Sequence, residues 1–376
     1  MQIAFRTDAS LQMGSGHVMR CLTLADALTA QGSQCHFISR EHPGHLLDLI
    51  RQRGHQVTSL PAPLPDPAAY NEAASTSDAA PAAVPVHAAW LGSHWQTDTL
   101  QTGSVLASLQ PDWLVVDHYA LDQQWEIALQ PNYSKLMVID DLADRAHVSD
   151  LLLDQNLRRK TEDYSKLVPA NCQVLTGPRY ALLRPEFAVL RAYSLQRRHT
   201  NSTIRQLLIT MGGVDQPNAT AQVLKALKNC PLPADCNITV VMGLTAPWLQ
   251  NVRKLAAQMP WPTEVMVNVN DMAQRMADSD LAIGAAGGTS WERCCLGLPT
   301  LMVVLAENQQ PGAQALEAAH AARLIGAVSD IATRLPFATA ELINSYCLSD
   351  MSLAASAITD GHGVEKMLQA MGALNA

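Results

Sequence analysis

The sequence lacks the long apolar runs and the paired cysteines that mark several protein classes. No stretch of about 20 apolar residues occurs, which predicts a chain without a transmembrane helix. The opening MQIAFRTDAS lacks the basic, apolar and small-residue regions of a signal peptide, so we expect a cytoplasmic protein. The eight cysteines form no CxxC pair, which argues against a zinc site and favours buried thiols over a disulfide framework.

Charge and length exclude further classes. The formal net charge of −8 argues against nucleic acid and anionic membranes as partners, although a locally positive site can still bind a small anionic substrate. With 376 residues, of which 48% are hydrophobic, the chain is long enough for two ordinary domains. The composition gives no indication of the oligomeric state.

Short apolar runs alternate with helical patterns along most of the chain, which predicts βαβ units and parallel sheets. We expect two doubly wound, Rossmann-like domains, at residues 1–198 and 199–376, with the terminal helices packing back on the first domain. A segment rich in Pro and Ala, residues 61–86, is interpreted as a surface insertion. Because ligands of such sheets bind at the carboxyl ends of the strands, the cleft between two facing domains is the expected active site.

Three glycine-rich turns each follow a predicted strand. Their glycines are Gly14 and Gly16 in the first turn, Gly213 with its neighbour Gly212 in the second, and Gly284, Gly287 and Gly288 in the third. Glycine lets the backbone approach a ligand closely, and the N–H groups at a helix start favour negative charge. Any one of these turns is equally well explained as a tight strand-to-helix connection.

The third turn is the most specific of the three. Thr289 and Ser290 add hydroxyl groups at a helix start, where they can meet a phosphate. Glu292 lies within the first helical turn, where its carboxylate can accept from the vicinal hydroxyls of a ribose or can serve a capping box. No Gly-Lys-Ser/Thr follows, so the turn is not a Walker A loop, and no turn carries a complete dinucleotide fingerprint.

His17 opens the first predicted helix, whose positive end favours a neutral imidazole that can take a proton from water. The alternative is that His17 only caps the turn or bonds a neighbouring loop. Asp8, on the preceding loop, could orient His17 or only hold the loop. Tyr119 follows a strand at the same sheet edge and could hydrogen-bond a sugar or a leaving oxygen, whereas its neighbour Asp117 is interpreted as structural.

Seven segments of the chain resemble the nucleotide-sugar hydrolases of pseudaminic acid biosynthesis, in order and at sensible spacing over residues 1–325. They are RTDAS…GSGHVMRCLTLA, PDWLVVDHYALD, IDDLADR, DLLLDQNL, GPRYALLRPEF, MGGVD and LAIGAAGGTSWERCCLGLPTLMVVLAENQ. The family is similar to the peptidoglycan N-acetylglucosaminyltransferase, which implies a GT-B fold for this chain.

The resemblance implies hydrolysis of UDP-2,4-diacetamido-2,4,6-trideoxy-β-L-altropyranose to UDP and the free sugar, without metal or cofactor. It implies that His17 is the base that activates water and that Tyr119 lines the sugar pocket. The substrate-binding residues that it implies are Gly287, Gly288, Thr289 and Ser290 for the diphosphate, Glu292 for the ribose, and Asn308 and Gln309 for the sugar or the phosphates. Three alternatives stay open: a UDP-sugar glycosyltransferase of the GT-B fold, a non-catalytic nucleotide-sugar binding protein, and an NAD-dependent enzyme.

Overall fold

The computed structural model describes residues 1–63, 85–200, 203–243, 246–344 and 347–374. The predicted insertion at 61–86 therefore lies almost wholly outside the described residues. The chain forms two compact units, one of Met1–Leu182 with Val364–Ala376 and the other of Leu183–Gly363. Within the described ranges, no helix has both the length and the apolar character needed to cross a membrane.

Strands and helices alternate through both units. The strands are β1 (Gln2–Thr7), β2 (Gln34–Arg40), β3 (Gln56–Leu60), β4 (Trp113–Asp117), β5 (Lys135–Ile139), β6 (Leu151–Asp154), β7 (Gln173–Thr176), β8 (Gln206–Thr210), β9 (Asn237–Met242), β10 (Thr263–Val267), β11 (Leu281–Ala285), β12 (Thr300–Val304) and β13 (Arg323–Ala327). The helices are α1 (Gly16–Ala30), α2 (Leu47–Gln52), α3 (Trp95–Leu109), α4 (Gln123–Leu129), α5 (Pro185–Thr200), α6 (Ala219–Leu227), α7 (Leu249–Ala256), α8 (Met272–Asp278), α9 (Thr289–Cys295), α10 (Gln310–Ala318), α11 (Ile331–Asn344), α12 (Cys347–Ser356) and α13 (Gly363–Ala370).

The first unit is built on a parallel sheet with the strand order β3-β2-β1-β4-β5-β6-β7. Because successive side chains of a strand face opposite sides, each strand contributes to two cores. Ile3 and Phe5 pack with α1 and α13 on one face. Ala4 and Val116 pack with α3 and α4 on the other face. Burial on both faces explains why these strands are almost continuously apolar in the sequence.

The second unit repeats this design with a parallel sheet in the order β10-β9-β8-β11-β12-β13. Ile209, Ile283 and Val303, from three neighbouring strands, share one core with Leu224 of α6 and Leu335 of α11. The two doubly wound parallel sheets predicted from the sequence are therefore both present.

Helix α5, which the sequence analysis assigned to the first domain, packs in the second unit. Its Arg198 donates hydrogen bonds to the carbonyl oxygens of Met276 and Ser279, at the end of α8. Its Arg191 donates to the carbonyl oxygens of Cys295 and Ser356. These hydrogen bonds link α5 to later segments of the second unit. The boundary between the two units therefore falls at Leu182/Leu183 and not at residue 198.

The fully buried carboxylate of Asp98 on α3 connects strands and helices of the first unit. Asp98 accepts two hydrogen bonds from Arg6 of β1, at 3.2 and 2.7 Å, and one from Arg40 of β2, at 2.7 Å. The indole N–H of Trp125 on α4 donates to it at 3.0 Å. The pKa of Asp98, which burial alone would raise, is lowered by the two arginines, so one ionised group links two strands and two helices.

Replacing Asp98 by alanine should destabilise the protein by about 3–5 kcal/mol, because the change leaves two buried guanidinium groups short of a partner. Urea-induced unfolding followed by circular dichroism checks this. Asp48→Ala is the matched control, since Asp48 pairs with Arg51 on an exposed helix surface and its loss should change little. Equal unfolding curves for the two variants would contradict the structural role assigned to Asp98.

Candidate active site

A tight turn carries the chain from β1 into α1 at the carboxyl edge of the first sheet. Gly14 has φ +78°, a left-handed conformation that favours glycine, and its N–H donates to the carbonyl oxygen of Ser10 at 2.8 Å. Helix α1 begins at Gly16, and a Cβ added there would meet no atom within 4 Å. The turn thereby places His17, the second residue of the helix, at the edge where ligands of parallel sheets bind.

Asp117, the last residue of β4, lies beside His17. Strand pairing sets Asp117 opposite Thr7 of β1, and the Asp117 carboxylate lies 2.6 Å from Nδ1 of His17. The carboxylate can only accept, so Nδ1 carries the proton in this hydrogen bond. When the ring holds a single proton, Nε2 therefore has the free lone pair. His17 is 8% exposed and Asp117 is fully buried, and their hydrogen bond orients the ring.

Arg20 lies one helical turn after His17 and connects two carboxylates. Its Nε and Nη2 donate to the two oxygens of Asp117 at 2.6 and 2.7 Å, and its Nη1 donates to Asp141 at 2.7 Å. Burial alone would raise the pKa of Asp117, but Arg20 and His17 hold it well below the usual carboxyl range. The residue that orients His17 is therefore ionised and balanced by an arginine.

The rings of Tyr119 and His17 pack in a T-shaped arrangement, with centroids 4.5 Å apart. Its hydroxyl donates to Asp141 at 2.7 Å. Burial and the Asp141 carboxylate raise the pKa of Tyr119 well above its usual value, so the phenol keeps its proton. Two half-buried rings, those of Trp90 and His87, pack on Tyr119 with centroids 5.7 and 5.5 Å away. The structure therefore brings Tyr119 to His17, as predicted, within an aromatic group that the sequence analysis did not identify.

Asp8 does not take the position predicted for it beside His17. Its carboxylate pairs with Arg6 at 2.7 Å and accepts from the backbone N–H of Arg40 at 2.7 Å. Nε2 of His118 lies 3.2 Å from the other carboxylate oxygen. The orienting carboxylate is Asp117, which the sequence analysis interpreted as structural, and Asp8 belongs to the buried ion-pair cluster beneath the sheet.

The second glycine turn is shaped by a close backbone contact in the second unit. A Cβ on Gly243, just after β9, would clash with the carbonyl oxygen of Gly213. Gly212 has φ +84°. Asp215, three residues after Gly212, caps α6 by accepting from the backbone N–H groups of Ala219 and Thr220. Each of these features has a structural cause, so the geometry alone assigns Gly213 no ligand.

The third glycine turn joins β11 to α9. A Cβ on Gly287 would lie 3.6 Å from the side-chain nitrogen of Gln309, whose oxygen accepts from the backbone N–H of Leu305 at 3.0 Å. The structure thus brings Gln309 against the turn. Asn308 is exposed in the short 3-10 turn that contains both residues.

Glu292 is half-buried in the first turn of α9. Burial raises the pKa of its carboxyl to about 7, against the opposing effect of Arg184. The candidate residues are divided between the two units of the chain. Across the described ranges, no three His, Cys, Asp or Glu side chains come together in an arrangement that could hold a metal ion.

Comparisons with known proteins support the fold and the resemblance. Residues 206–360 match the glycosyltransferase family 28 C-terminal domain. Acinetobacter baumannii MurG has a similar structure, with a TM-score of 0.67 at 16% identity over 99% of both chains. LpCGTa in complex with UDP has a TM-score of 0.60 at 14% identity, over 98% of this chain and 99% of that one. The α/β, GT-B class predicted from the sequence is confirmed.

Three curated proteins are similar in sequence. An uncharacterized protein of Methanocaldococcus jannaschii is 24% identical over 82% of this chain and 56% of its own length. The spore coat polysaccharide biosynthesis protein SpsG of Bacillus subtilis is 28% identical over 52% of this chain and 57% of its own. This chain thus spans little more than half of these two proteins. The UDP-2,4-diacetamido-2,4,6-trideoxy-β-L-altropyranose hydrolase of Campylobacter jejuni is 24% identical over 82% of this chain and 94% of its own length, which confirms the resemblance drawn from the motifs.

Proposed function

We propose that this protein hydrolyses UDP-2,4-diacetamido-2,4,6-trideoxy-β-L-altropyranose to UDP and the free sugar. The observation that carries the proposal is the hydrogen bond between Nδ1 of His17 and Asp117, which leaves Nε2 as a base for water. The similarity to a relative named as this hydrolase supports the choice of substrate.

The proposed reaction is a single displacement with inversion. Water loses a proton to Nε2 of His17 while its oxygen bonds to the anomeric carbon of the sugar. The bond between that carbon and the UDP oxygen breaks, and its electron pair leaves with UDP. The turn from Gly287 to Ser290 would bind the diphosphate, where N–H and O–H donors stabilise the charge that develops on the leaving group. Glu292 would bind the ribose hydroxyls.

The Tyr119 hydroxyl already donates its proton to Asp141, so it does not donate to the leaving oxygen. The role proposed for Tyr119 is to line the sugar pocket with its ring. Trp90 and His87 extend the same wall. The methyl groups of a 6-deoxy, diacetamido sugar offer apolar surface that such a wall can contact.

The protein should release UDP from this substrate without an acceptor and in the presence of EDTA, and should release far less from UDP-N-acetylglucosamine. Chromatography of the nucleotide products measures this. In H₂¹⁸O the label should enter the sugar and not UDP, because the bond to the anomeric carbon breaks. Label in UDP would contradict the proposed displacement.

A glycosyltransferase is the second candidate, since residues 206–360 match a domain of a glycosyltransferase family. The same assay separates the two functions. UDP release that requires an added sugar or lipid acceptor would establish the transferase and overturn the hydrolase. A protein that binds UDP-sugars but releases no UDP with or without acceptor would be a binding protein.

A further inference from the structure

A guanidinium group lies buried directly beneath the third glycine turn. Arg293 of α9 is 1% exposed. Its Nη2 donates to the carbonyl oxygen of Ala285 at 2.7 Å and to the hydroxyl of Ser290 at 3.0 Å, and its Nη1 donates to the hydroxyl of Thr289 at 3.1 Å. A Cβ on Gly284 would lie 2.6 Å from Nη1. Glycine at position 284 therefore leaves the space that the guanidinium fills.

Arg293 forms no ion pair in the part of the chain that the structure describes. All three of its acceptors are neutral, and among the described residues no carboxylate lies within 4.0 Å of it; the neighbouring Glu292 favours its charged form only by attraction over a longer distance. Its Nε has no hydrogen-bond partner in the described chain. Burial lowers the pKa of Arg293 to about 10, so the group is still charged at neutral pH. A buried cation without a paired anion is costly, because it has lost its hydration and gained no ion pair.

The contacts of Arg293 also determine what the neighbouring hydroxyls can do. A guanidinium only donates, so the hydroxyl oxygens of Thr289 and Ser290 act as acceptors toward it. A hydroxyl has a single proton, which then remains available to a further acceptor. Arg293 thereby prepares two donors on the turn, and an anionic acceptor would satisfy both donors and the buried charge.

We propose that Arg293 is a positioning residue for the diphosphate of UDP, which supplies the counter-charge that this guanidinium lacks in the folded chain. The inference rests on the proposed function, which places the diphosphate on the turn from Gly287 to Ser290. Arg293 acts from behind this turn, through its charge and through the hydroxyls of Thr289 and Ser290.

The test compares Arg293→Gln with the unchanged protein by calorimetric titration of UDP, UMP and uridine. Loss of the charge should weaken the affinity for UDP at least tenfold and the affinity for UMP by a smaller factor. The affinity for uridine, which has no phosphate, should stay unchanged. The unfolding temperature of the ligand-free protein should stay equal or rise, because an uncompensated buried charge has been removed. Arg293→Lys should restore part of the UDP affinity. Arg205→Gln, at an exposed arginine of the same unit, is the matched control and should change neither quantity.

Three results would overturn the inference, and the third would overturn the proposed function with it. Parallel losses of stability and of affinity for all three ligands would show that Arg293 only supports the fold. Unchanged UDP affinity in Arg293→Gln would remove its electrostatic role and leave the proposed function intact. If the unchanged protein bound no UDP, the placement of the diphosphate and the proposed function would both fall, and this result is distinct from either of the others.

Discussion

His17→Ala should lose roughly 10²–10⁴-fold in the rate of UDP release, which is the usual contribution of a positioned base. The substitution removes Nε2, the atom that would take the proton of the attacking water. UDP should bind with unchanged affinity, because the residues proposed to bind it lie in the second unit. Single-turnover release measures the rate, and calorimetry of UDP binding measures the affinity.

The structure indicates that this variant can fold. Without His17, the buried Asp117 carboxylate keeps both of its hydrogen bonds from Arg20. His36→Ala is the matched control, because His36 bonds only Gln56 and Thr58 in the described chain, far along the strands from the turn. Turnover of His17→Ala within a few-fold of that of His36→Ala would exclude His17 as the base.

The architecture was predictable from the sequence because strands buried on both faces leave a continuous apolar signal. The segment LLIT of β8 and the segment LMVV of β12 can be read as strands without any knowledge of their neighbours. The division between the units was not predictable to the same degree. It depends on contacts of Arg191 and Arg198 with carbonyl groups about 80 to 170 residues away, and a basic helix end gives no sign of such partners.

The group proposed to be catalytic was partly predictable. A histidine at a helix start after a glycine turn is a local signal, and His17 was identified from it. The identity of the carboxylate that orients His17 could not be predicted in this way, because it depends on strand register. The pairing of β1 with β4 brings Asp117 opposite Thr7, more than 100 residues away in the sequence. Asp8 is nearer to His17 in the sequence but has other partners.

Helical spacing could have identified Arg20 and Arg293, which the sequence analysis missed. Residues three or four apart share a helix face, so Arg20 was bound to lie on the side of α1 that carries His17. The same rule places Arg293 beneath Thr289 and Ser290. Basic residues one turn after a candidate site are therefore worth including in sequence analysis. The aromatic contacts of Trp90 follow from tertiary packing, and no local pattern indicates them.

Asp117→Asn should lower turnover by roughly 10²–10⁴-fold while UDP still binds, because an amide does not hold Nδ1 of His17 as the donor and Nε2 as the acceptor. Arg20 keeps its bond to Asp141, which favours a folded variant. Asp8→Asn is the comparison variant, because Asp8 directly follows β1 whereas Asp117 is the last residue of the neighbouring strand β4. If Asp117 orients the base, only the Asp117 variant should lose turnover in the folded fraction. A larger loss in Asp8→Asn would reverse the assignment.

The dependence of stability on pH gives an independent check of the Asp117 ion pair. Arg20 and His17 hold the pKa of Asp117 below its value in the unfolded chain, against the effect of burial, so the carboxylate stabilises the fold at every pH above the ordinary carboxyl range. This contribution is lost as the pH falls through the lowered folded-state pKa. The difference in free energy of unfolding between the unchanged protein and Asp117→Asn should therefore be largest above about pH 5 and should shrink toward pH 2. Urea unfolding at a series of pH values measures it. A difference that stays constant across this range would mean that the ionised carboxylate contributes nothing, and that Asp117 orients His17 by shape alone.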